Sequence, residues 1–105
     1  MVKREIIDKI RLYCLHLNAS GIIVDKAFLF GSWARNEAIT DSDIDVMIVS
    51  SSFDQPDNTL KTKAWRITEK VDLRIEPYTI SLEKFLSDDV SPLLQIVKKE
   101  GIEII

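Results

Sequence analysis

Ten residues separate Gly31-Ser32 from Asp43-Ile44-Asp45, and an apolar segment adjoins each motif. Lys26-Ala27-Phe28-Leu29-Phe30 is too short for a buried helix and rich in aromatics, so it reads as a strand ending at Gly31. A tight glycine turn and the start of a short helix are expected next. There Gly31 lets the backbone come close to a ligand, and the free N–H groups around Ser32 to Ala34, at the positive end of that helix, favour a phosphate. Thr40-Asp41-Ser42 reads as a turn, and Asp43-Ile44-Asp45-Val46-Met47-Ile48-Val49 as a second strand. Alternate side chains of a strand point to opposite faces, so Asp43 and Asp45 share one face and Ile44, Val46 and Ile48 take the other. Met47 and Val49 follow the aspartates, so the strand is expected to be buried on both sides beyond them. Two carboxylates this close repel one another when charged, and a divalent cation between them relieves that cost. Magnesium is the natural candidate, since it prefers oxygen ligands and phosphate.

The pattern G-S-x10-D-x-D, flanked by Ala34-Arg35 and Ser42-Asp43-Ile44-Asp45-Val46, resembles the signature of the minimal nucleotidyltransferases of the DNA polymerase β superfamily. Trp33 and Asn36 stand where that family more often has a basic residue and a glycine. The family places a third carboxylate on a neighbouring strand, and Val71-Asp72-Leu73-Arg74-Ile75-Glu76-Pro77-Tyr78 supplies two candidates. On one strand Asp72, Arg74 and Glu76 would alternate onto one face. Glu76 is the first choice, because it precedes Pro77 and a short helix at Leu82-Glu83-Lys84-Phe85, much as the family's third acid precedes its next helical segment. Asp72 is the alternative, with Arg74 between them holding the unused carboxylate in an ion pair.

The resemblance implies a polymerase-β-like α/β fold, a small mixed β-sheet flanked by helices, that works with two magnesium ions. Asp43 and Asp45 would bind both ions, and Glu76 or Asp72 the one that activates the nucleophile, helping to take a proton from the attacking hydroxyl. Gly31 and Ser32 would hold the triphosphate, with Arg35 and Ser42 in the same nucleotide site. Arg35 reads equally as a surface ion pair with Glu37 and as a phosphate contact; Trp33 either stacks on a base or covers the helix, the second being preferred.

The reaction implied is transfer of a nucleotidyl group, AMP from ATP, to a hydroxyl of an acceptor, with a protein as the preferred acceptor. Stand-alone minimal domains of this kind often pair with a small helical HEPN protein as toxin and antitoxin, the transferase silencing its partner by adding AMP. The competing reading is a binding module, an antitoxin that neutralises its helical partner by contact alone. Transfer to a small molecule such as an aminoglycoside ranks last, because a second domain to bind it is missing.

Length and charge bound these readings. At 105 residues the chain is expected to form one domain, 1–105, too small for the helical additions with which polymerases grip a second substrate. With 46% apolar and 30% charged residues, no run of 18 apolar residues and no signal-peptide pattern, a cytoplasmic protein off the membrane is expected. A net charge of −3 and a pI near 5.1 argue against tight nonspecific nucleic-acid binding, which needs a basic face. The single Cys14 excludes an internal disulfide and a cysteine zinc site, and its place on an apolar stripe predicts a buried thiol. His16, the only histidine, is given a surface helix role.

The scaffold follows from periodicity. Residues 3 to 18 form an amphipathic helix with Ile6, Ile10, Tyr13, Cys14 and Leu17 on one face, expected to cover the sheet. Ser50 to Asn58, with Pro56, reads as a loop, and Thr59 to Lys70 as a helix returning the chain to the third strand. Ser81 caps a short helix through Leu86, Ser91-Pro92 starts another that Gly101 follows, and Ile102 to Ile105 adds an edge strand. The order strand, helix, strand, helix, strand implies an α/β domain whose acids lie at one edge of the sheet.

Overall fold

Ile6, Ile10, Tyr13, Cys14 and Leu17 recur at helical spacing, and helix α1 (Val2–Ala19) forms with all five at most 2% exposed. The computed structural model describes residues 2–54, 58–87 and 90–105. Four strands, β1 (Lys26–Phe30), β2 (Ile44–Ser50), β3 (Ile75–Ser81) and β4 (Ile102–Glu103), make one mixed sheet in the order β3-β2-β1-β4. β1 runs antiparallel to both β2 and β4, whereas β2 and β3 are parallel. A parallel pair needs a crossover, and helix α2 (Asn58–Ile67) with a 3-10 turn at Thr68–Lys70 supplies it. Gln55, Pro56 and Asp57 of the expected loop lie outside the described residues.

Alternation along β2 divides the core in two. Ile44, Val46 and Ile48 join Leu29 of β1 and Ile75 of β3 under α1 and α2. Met47 and Val49 face the other way, with Phe28 and Phe30, against Phe85 of helix α3 (Leu82–Ser87) and Leu94 and Val97 of helix α4 (Pro92–Glu100). Burial on both sides beyond Asp45 is therefore as expected. Cys14 is buried, and burial pushes its thiol up to about 12. Tyr13, deep in the same layer, donates its hydroxyl to the Ala64 carbonyl at 2.6 Å, tying α1 to α2.

The caps follow the sequence. Ser81 Oγ accepts the Lys84 N–H at 3.1 Å, and Ser91 Oγ that of Leu94 at 3.4 Å ahead of Pro92. Gly101 has an ordinary φ of −66°, but a β-carbon there would run into the Val97 carbonyl, so close approach calls for glycine. β3 is an edge strand, and Pro77 in it is tolerated because the N–H it lacks would face away from β2.

Two expectations need correction. No helix follows Gly31: the Arg35 N–H reaches the Gly31 carbonyl at 3.1 Å and the Glu37 N–H that of Ser32 at 2.9 Å, a single turn and no more. Asn36 ends it at φ +61°, the left-handed region where glycine and asparagine are least strained. β1 thus passes to β2 through turns, without a helix between them. The third strand begins at Ile75, not Val71. Asp72 Oδ1 accepts the N–H of Arg74 at 2.8 Å, a side-chain turn that bends the backbone away from the ladder. Asp72 and Arg74 therefore precede β3, and the acids cluster at one end of the sheet, on an inner strand and its neighbour.

Candidate active site

Phe30, Asp45 and Glu76 are register partners across β1, β2 and β3. Neighbouring strands lie ~4.8 Å apart, so Asp45 and Glu76 stand side by side on the face of Met47 and Tyr78. Asp43, exposed, immediately precedes β2. Burial, followed by the charges of Glu76 and Asp43, pushes the Asp45 carboxyl up to about 6, with Arg35 acting in the opposite direction.

Gly31 closes the site on the β1 side. Its φ is +74°, and a β-carbon built on it would land on Asp45 Oδ2, so two independent constraints call for glycine where the backbone abuts the carboxylate. Ser32 is half-buried beside it. Arg35 is exposed and pairs with Glu37 at 2.7 Å and Glu100 at 3.7 Å. Ser42 Oγ accepts the Ile39 N–H at 2.9 Å, and its carbonyl accepts Trp33 Nε1–H at 3.2 Å. Trp33 is only 6% exposed and packs into the core under α1, which leaves no face for a base.

The two candidates for the third carboxylate have unlike surroundings. Asp72 is bound by Lys9 Nζ at 2.8 Å and by Arg74 Nη2 at 2.8 Å and Nε at 3.1 Å. The Arg74 guanidinium above all holds its carboxyl well below the usual range, so it is a weak base with its oxygens engaged. Among the described residues Glu76 meets no cation in this way; the Tyr78 hydroxyl donates to its Oε1 at 3.1 Å. Sequence reasoning missed Tyr78, although its place two residues beyond Glu76 on a strand puts both on one face.

Asp72→Asn is expected to cost ~1–3 kcal/mol at pH 7, since Lys9 and Arg74 lose their anion. A depressed carboxyl contributes stability above its unfolded pKa of about 3.9, and that contribution is lost as the pH falls below it. Urea unfolding should therefore separate parent and variant at pH 7, by a margin that shrinks as the pH falls below about 4 toward the lower folded value.

Beside the acid pair, at Met47 and Tyr78, the sheet opens into a cavity of about 380 Å³ also lined by Lys61 and Lys84. The model of the nucleotidyltransferase domain family matches residues 7–104, from α1 through β4. The chain belongs to that family.

Among solved structures, a chain of the "Crystal structure of the toxin-antitoxin with AMP-PNP" is similar to this nucleotidyltransferase domain. The TM-score is 0.63 and the identity 22%, over 94% of this chain and 72% of that one. At that identity the likeness is one of fold, a mixed four-stranded sheet with helices on both faces. No curated protein matches.

Nucleotidyltransferases generally work with divalent metal, and the donor chemistry here fits a hard cation. Asp43, Asp45 and Glu76 offer only carboxylate oxygens, and the mutual repulsion that adds to burial in pushing up Asp45 is what a cation would relieve. Among the described residues, no three His, Cys, Asp or Glu side chains already converge into a closed ligand set. Asp43 would complete one from its exposed position at the entrance to β2. Among the described residues no helix is long and apolar enough to cross a membrane.

Proposed function

We propose that this nucleotidyltransferase domain takes a nucleoside triphosphate, ATP by preference, and transfers its nucleotidyl group to a hydroxyl of a partner protein. The observation that carries this reading is the in-register pair Asp45 and Glu76 against the Gly31 backbone. Asp43, Asp45 and Glu76 would hold the magnesium ions, which when bound polarise the α-phosphoryl group and stabilise the leaving charge. The Gly31-Ser32 turn lets the triphosphate approach the backbone, and Arg35 and Ser42 lie on the same loop. Glu76, with no cation paired to it among the described residues, takes the proton of the attacking hydroxyl; the acceptor oxygen bonds to the α-phosphorus, and the bond to the β-phosphate breaks to release pyrophosphate. Asp72, committed to Lys9 and Arg74, fits a structural part. The cavity beside Tyr78 offers room for a part of donor or acceptor that does not react.

The neighbour, a toxin-antitoxin with AMP-PNP, supports a toxin-antitoxin role with a nucleotide here; beyond that, our reading is an antitoxin whose partner is a helical HEPN-type protein that it silences by adding AMP. A second reading, neutralisation by contact alone, is favoured by the lack of a closed three-ligand set among the described residues.

ATP labelled at the α-phosphorus, magnesium and a co-expressed HEPN-type protein separate the two. Label should appear on the partner from α-labelled but not γ-labelled ATP, and vanish when Asp43 and Asp45 become Asn. A tight complex that never carries label would overturn transfer in favour of contact.

A further inference from the structure

The Tyr78 hydroxyl is a polar group at the acid pair to which the reaction above gives no task. Tyr78 shares the face of Glu76 and donates to its Oε1 at 3.1 Å. Its ring is braced by Phe30, edge to face, with centroids 5.1 Å apart and planes at 64°. Phe30 is 5% exposed and is itself the register partner of Asp45. One buried ring therefore stands next to Asp45 in the cross-strand row and against the tyrosine that holds Glu76.

We propose that Tyr78 is a positioning residue, whose Phe30-braced hydroxyl fixes the Glu76 carboxylate beside Asp45 so that both acids present oxygens to one divalent cation. The inference rests on the reading of Asp45 and Glu76 as metal ligands given above. A glutamate has three side-chain torsions to order before it can ligate, and a hydrogen bond from the same strand removes much of that freedom in advance. The phenol engages one oxygen and leaves the lone pairs of the other available. Being neutral, it orients the carboxylate without cancelling its charge. The cations on Asp72 do the opposite, which is why two acids four residues apart differ in their availability.

Manganese binding to the full chain, followed by calorimetry without nucleotide, tests this. Tyr78→Phe keeps the ring against Phe30 and removes only the hydroxyl; the dissociation constant for manganese should rise ~10-fold, with the thermal midpoint close to the parent's. In the transfer assay the magnesium concentration for half-maximal rate should rise, while kcat at saturating magnesium recovers, a split that a merely structural role would not produce. Phe30→Leu, which keeps the hydroxyl and loses the brace, should weaken manganese binding in the same direction but less. Parent-like affinity in Tyr78→Phe, with Glu76→Gln still weakening binding, would overturn the positioning role and leave the ligand assignment standing. If Glu76→Gln leaves affinity unchanged, the ligand assignment falls and the inference falls with it.

Discussion

Asp45→Asn is expected to act in opposite directions on activity and stability. On the proposed reading of Asp45 as a ligand common to both metal ions, nucleotidyl transfer should fall by at least ~100-fold. With divalent cations removed by a chelator, the variant should nevertheless be more stable than its parent at pH 7.5, by ~1–2 kcal/mol, or roughly 4–10 °C in thermal midpoint. The reason lies in the displaced titration. The carboxyl is pushed up to about 6 in the folded chain from an ordinary value of 3.8, so the folded state holds its proton more tightly. Stability from that proton is fully present below the unfolded value and is lost as the pH rises through about 6. The free energy is taken at less than the full shift because the group is only partly buried and solvent screens part of it. Thermal unfolding at pH 4 and pH 7.5 checks the sign: the parent should be at a disadvantage only at the higher pH, and added magnesium should remove it there. A variant less stable than the parent at pH 7.5 would mean that Asp45 supports the fold.

Gly31→Ala is expected to cost ~2–4 kcal/mol. Part of that is the left-handed backbone at φ +74°, worth ~1–2 kcal/mol for a residue with a β-carbon. The remainder is the collision with Asp45 Oδ2. The two parts separate in a double-mutant cycle, because Asp45→Ala removes the struck atom and leaves the dihedral. In that background Gly31→Ala should cost only the backbone share. Equal costs in both backgrounds, read from urea unfolding, would show that the carboxylate does not lean on the glycine.

Much of the scaffold was legible because its signals are local. The stripe from Ile6 to Leu17 needs only helical spacing, Ser91-Pro92 only a cap and a preset dihedral, and Lys26 to Phe30 only a short apolar run ended by glycine. The two corrections lie where a side chain or one backbone angle overrides a pattern. A helix after Gly31 was reasonable from Ser32 to Glu37, but Asn36 turns left-handed and the ladder stops after one turn. Asp72, Arg74 and Glu76 alternate as a strand would, but the Asp72 carboxylate captures the Arg74 N–H and the strand starts four residues late. The Arg74 ion pair was foreseen; that it falls on Asp72, reinforced by Lys9 from α1, depends on a contact 63 residues away in sequence that no local pattern encodes. Glu76 opposite Asp45 is likewise a matter of register between strands joined by a crossover.

Pro77 has a consequence for how anything docks on this molecule. β3 is the open margin of the sheet and carries Glu76, and a bare margin ordinarily invites an extended peptide to continue it. With proline directly after Glu76, the outward row of β3 lacks a donor at that step, so an added strand would lose a rung of its ladder there. Strand addition beside the acid is therefore disfavoured, and the acceptor proposed above would approach over the sheet's face instead.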